Sequence, residues 1–101
     1  MAHVTQNWLV EKPVVNSRGG IVVAQYRAAA EVGAEMLRSG GNAVDAAVAT
    51  ALALAAIEPW NSGLGGIGYM LVQRPGAPAQ VIDFGAVSPR KLDTAAFPLT
   101  G

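Results

Sequence analysis

The residues able to do chemistry are few in this sequence and stand apart. The serines are Ser17, Ser39, Ser62 and Ser88, and none lies in a G-x-S-x-G elbow or beside a plausible base. The one histidine, His3, sits in Met1-Ala2-His3, and there is no cysteine. A Ser-His-Asp triad, a histidine metal site, a thiolate site and a disulfide framework are therefore all unsupported. The carboxylates Asp45, Glu58, Asp83 and Asp93 are scattered. Asp45 is explained by helix capping, and Ser62-Gly63 by turn chemistry. Asp83 alternates away from Ile82 and Phe84 and reads either as a site residue or as an exposed strand acid. Gly63, Gly65 and Gly68 satisfy G-x-G-x-x-G. A dinucleotide site needs a strand before that motif and a helix N-terminus after it. Here a helix precedes and a strand follows, so the glycines read as close backbone approach and positive φ on entry to a strand. By residue chemistry alone no catalytic constellation exists in this chain.

The elements that would position these residues can be read in order. Residues 1–19 hold Pro13, Asn16, Ser17 and Gly19-Gly20 and read as an irregular leader, the first three residues having the look of an added tail. Gly20 to Gln25 is β-branched, bounded by glycine, and predicts a buried strand. From Arg27 to Ser39, Ala29, Val32, Gly33, Met36 and Leu37 fall on one helical stripe, with Arg27, Glu31, Glu35 and Arg38 on a solvated face. Gly40-Gly41 stops that helix.

The next stretch, Asn42 to Pro59, is marked at both ends. Asn42 is a good N-cap with Asp45 three residues on, and Pro59 ends the ladder. Between Ala46 and Ile57 the only polar side chain is Thr50. A helix apolar all round must be covered all round, so Val48, Leu52 and Ile57 are expected to be exposed in this chain alone. Because one helix is amphipathic and the other is not, the two are expected to lie one outside the other or beside different partners. Trp60 reads as packing. Tyr69–Gln73 and Gln80–Phe84, joined by Pro75-Gly76-Ala77-Pro78, predict an antiparallel hairpin. Gly85 to Gly101 predicts an extended loop.

Composition limits the function classes. Of 101 residues 51% are apolar and 14% charged, and formal net charge is zero, so no nucleic-acid or anionic-membrane footprint exists. The apolar run from Ala46 falls well short of the roughly 20 residues of a membrane span. No signal-peptide pattern is present, which favours a cytoplasmic location slightly over a periplasmic one. The fold class is α+β, one segment of strand, helix, helix and β-hairpin.

The motifs together resemble a known family. Gly20-Ile21-Val22-Val23-Ala24, Ala30 to Leu37, Gly40-Gly41-Asn42-Ala43-Val44-Asp45-Ala46-Ala47, Glu58-Pro59, Ser62-Gly63-Leu64-Gly65-Gly66, and Ile82-Asp83-Phe84 with Pro89 occur in that order. This is similar to the start of the large subunit of the γ-glutamyltranspeptidase family, over roughly residues 18–95. The resemblance implies an N-terminal-nucleophile hydrolase with an αββα sandwich, so that residues 20–101 form an N-terminal segment of the large-subunit domain. It implies a precursor that cuts itself into two subunits, the new N-terminal Thr of the small subunit serving as nucleophile and its own base. It implies a γ-glutamyl or other small amide substrate, no cofactor, and as partners the rest of the large subunit and the small subunit. Thr100 matches no nucleophile motif of the family, and no catalytic residue is expected in this chain.

One departure bears on specificity. The family's second hairpin strand runs Asp-Phe-Arg-Glu, the Arg anchoring the α-carboxylate of the glutamyl group. Here the run is Asp83-Phe84-Gly85-Ala86, so Gly85 stands at the anchoring position without a side chain, and a bidentate clamp is lost. Arg90, five residues on, is the possible substitute if the loop folds back. The resemblance therefore leaves open γ-glutamyl transfer or hydrolysis of glutathione-type amides, a related amidohydrolase or acylase with another acyl specificity, and a non-catalytic structural module.

Overall fold

In the computed structural model, which describes residues 11–97, two helices form a hairpin and two strands form another. Helix α1 spans Arg27–Arg38 and α2 spans Ala43–Ile57. Strands β1, Tyr69–Val72, and β2, Gln80–Asp83, pair antiparallel, and a 3-10 turn covers Thr94–Ala96. That short turn, capped by Asp93, is the one regular element among the described residues of the stretch read as loop after Gly85. His3 and Thr100 lie outside the described residues.

The connection between the helices satisfies its own backbone. Gly40 takes φ +92°, a conformation strained for any residue with a Cβ. Its N–H donates to Leu37 O at 3.2 Å, and the Gly41 N–H donates to Met36 O at 2.9 Å. These are the two bonds of a Schellman C-cap. One residue later Asn42 Oδ1 accepts from Val44 N and Asp45 N at 2.8 and 3.1 Å, while Asp45 Oδ2 accepts from Asn42 N at 2.8 Å. The capping box read from the sequence is therefore complete.

The helices pack directly on one another, which fits the expectation that one lies outside the other and not its alternative, that each lies beside a different partner. Their contact is made by small side chains: Ala29 and Gly33 of α1, Ala46 and Thr50 of α2, all buried. A Cβ on Gly33 would overlap Thr50 Oγ1 and stand 3.0 Å from Ala46 O, so glycine is what lets the axes approach. Thr50 Oγ1 donates to Ala46 O at 2.8 Å, which removes the cost of burying its hydroxyl. The charged side of α1 is solvated as expected. Arg27 Nε meets Glu31 Oε1 at 2.8 Å and Arg38 pairs with Glu35, both exposed pairs of small energetic weight.

The strand expected at Gly20–Gln25 is absent: this stretch has no ladder partner among the described residues. Its exposure still alternates, with Val22 and Ala24 half-buried and Ile21 and Val23 exposed. The β-branched pattern is strand-like, but a strand exists only where a neighbour takes up its backbone hydrogen bonds. Trp60, expected to pack, is 76% exposed.

Large apolar side chains are not gathered into a core. Val48 is 45% and Leu52 52% exposed, as expected, whereas Ile57 is half-buried. The radius of gyration is 19.7 Å, against about 13 Å for a compact domain of this length. Among the described residues no helix is long and apolar enough to cross a membrane.

Candidate functional site

The hairpin is what brings chemistry-bearing residues together. Pro75 and Gly76, the latter at φ +72°, occupy the central places of a turn closed by Ala77 N donating to Arg74 O at 3.1 Å. This fixes the register: Tyr69 opposite Asp83, Met70 opposite Ile82, Leu71 opposite Val81, and Val72 opposite Gln80. Phe84 N donates to Gly68 O at 3.1 Å, carrying the pairing one residue further, and its ring occupies the space a Cβ on Gly68 would need.

Alternation then sorts the side chains. Met70 and Val72 are half-buried and, with Ile82 and Gln80, line a cleft of about 710 Å³ against Ala43 and Ala47 of α2. Tyr69 and Asp83, one place out of phase with Met70 and Ile82, occupy the opposite, exposed face. Asp83 thus stands away from Ile82, as its place in the strand predicts.

At the end of β2 the chain turns back on that acid. Asp83 Oδ1 accepts from Gly85 N at 2.8 Å. A Cβ on Gly85 would stand 3.0 Å from Asp83 Oδ1 and 3.7 Å from Tyr69 Oη. The position named from the sequence is therefore bordered by a phenol and a carboxylate. Arg90 lies in a turn closed by Leu92 N donating to Pro89 O at 3.0 Å, exposed, and has no hydrogen bond or ion pair to Asp83 or Gly85 among the described residues. The structure brings Gly85 to Asp83 and Tyr69, and does not bring Arg90 to them.

A second polar cluster lies where α2 ends. Glu58 is 2% exposed, its backbone O accepts from Asn61 N and Ser62 N, and its Oε1 accepts from Ser62 Oγ at 3.2 Å. Its other oxygen, Oε2, is buried without a partner among the described residues. This clamp holds the entry to the glycine-rich loop before β1. The turn chemistry expected of Ser62 is present, but positive φ is not: Gly63, Gly65, Gly66 and Gly68 all lack it. β1 starts directly after Gly68, where a nucleotide fingerprint would require a helix.

Sequence reasoning missed Tyr69 and the burial of Glu58. Tyr69 was legible, because strand alternation places it with Asp83. A carboxylate ending an otherwise apolar helix just before proline is a signal for Glu58. No group of three or more metal-ligating side chains exists among the described residues.

Comparison with known proteins places this arrangement. The family model described as gamma-glutamyltranspeptidase matches residues 29–100. The glutathione hydrolase proenzyme of Escherichia coli is 42% identical over 77 residues, covering 76% of this chain and 13% of that protein. Glutathione hydrolase proenzyme 1 of Schizosaccharomyces pombe is 34% identical over 79 residues, 78% of this chain and 12% of its own length. Among solved structures, the gamma-glutamyltranspeptidase of Helicobacter pylori superposes with a TM-score of 0.74 at 33% identity, over 80% of this chain and 23% of that one. The gamma-glutamyltranspeptidase of Pseudomonas nitroreducens gives 0.69 at 38% identity, over 77% and 23%. This chain thus spans about an eighth of the length of the proenzymes it matches. Its two helices and antiparallel hairpin form an α+β segment of the N-terminal-nucleophile hydrolase sandwich. The chain belongs to the γ-glutamyltranspeptidase family.

Proposed function

We propose that this chain is part of the large subunit of an amide-cleaving N-terminal-nucleophile hydrolase, made as a precursor and matured into two subunits. The observation that carries the reading is the match of residues 29–100 to the family, with relatives named glutathione hydrolase proenzymes. On this reading the substrates are γ-glutamyl amides of the glutathione type, and the nucleophile comes from the small subunit. The segment's own task is to present the hairpin end and the glycine-rich loop to the acyl half of the substrate. Mass spectrometry of the full-length protein tests the first part: two chains, the smaller beginning with Thr, are expected, and a stable uncut chain overturns it.

A second reading is favoured by Gly85. A guanidinium makes two parallel hydrogen bonds to a carboxylate, and a residue without a side chain makes none. Asp83, the acid beside that position, has no basic partner among the described residues. The acyl specificity is then that of a related amidohydrolase or acylase, shifted away from the γ-glutamyl group. Hydrolysis of a γ-glutamyl anilide by the matured protein decides between the two. Rates typical of a transpeptidase support the first reading and exclude the second.

A further inference from the structure

We draw no further inference here: the strongest candidate, the buried Glu58 carboxylate where α2 ends, carries nothing, because it belongs to the Ser62 clamp already described and its Oε2, unpartnered among the described residues, is enclosed and does not reach the cleft between α2 and the hairpin.

Discussion

Gly33 of α1 lies against Thr50 of α2 so closely that no side chain fits between them. The same position meets Val22 Cγ1 at 2.9 Å from the place of a Cβ, so three segments converge on one missing methyl group. Gly33→Ala gains about 1 kcal/mol of helix propensity. Overlap with Thr50 and the Ala46 carbonyl is expected to cost more, about 1–3 kcal/mol, and so to lower the melting temperature of the protein. Adding Thr50→Ala should recover part of the loss, because it removes the nearest obstruction. A strictly additive double variant would show that the two positions do not meet.

The reciprocal cap at the start of α2 gives a second expectation. Asn42→Ala removes the acceptor for two backbone N–H groups and is expected to cost about 1 kcal/mol. Asn42→Asp, which keeps the acceptor, should cost much less. Denaturant unfolding of the two variants measures the difference.

Ser62 is the only side-chain donor to Glu58 among the described residues. Ser62→Ala leaves a buried carboxylate with neither oxygen satisfied by a side chain, at an expected cost of about 1–3 kcal/mol. Combining it with Glu58→Gln should restore stability in part, since the unpartnered group is then neutral. Thermal unfolding of the single and double variants checks this.

Leu52 is 52% exposed here, on a helix whose composition calls for cover on all sides. If the remainder of the sandwich supplies that cover, Leu52→Ala in the full-length protein is expected to cost about 2–5 kcal/mol, the figure for a buried leucine. A loss within the range of ordinary surface substitutions would mean that the face stays open.

How far the sequence carried the fold depends on where each element's hydrogen bonds are closed. The helices were legible because Asn42, Asp45, Gly40 and Pro59 settle their ends within a few residues. The hairpin was legible for the same reason, Pro75-Gly76 setting a turn whose register follows. Gly20–Gln25 was misread as a strand because a ladder depends on a neighbour that no local pattern reveals. The helix-on-helix contact was legible only on the α1 side, where Ala29 and Gly33 lie on the apolar stripe, because α2, apolar all round, singles out no face. The residues in contact, Ala29, Gly33, Ala46 and Thr50, are the small ones, and a hydrophobicity count gives them little weight. Of the candidate site, Gly85 could be named from a motif, and Asp83 from alternation. Tyr69 entered only when the register set it across from Asp83.

The four-residue link from Ser39 to Asn42, with its bonds closed internally, also bears on the order in which the molecule assembles. Contacts between α1 and α2 span short stretches of chain, and such local pairings form early and fast, whereas pairings between distant strands wait on costly loop closure. The helical hairpin can therefore exist while Val48 and Leu52 are still bare. It is a preformed seed with sticky flanks, on which later segments can condense, and until they do those flanks are open to aggregation.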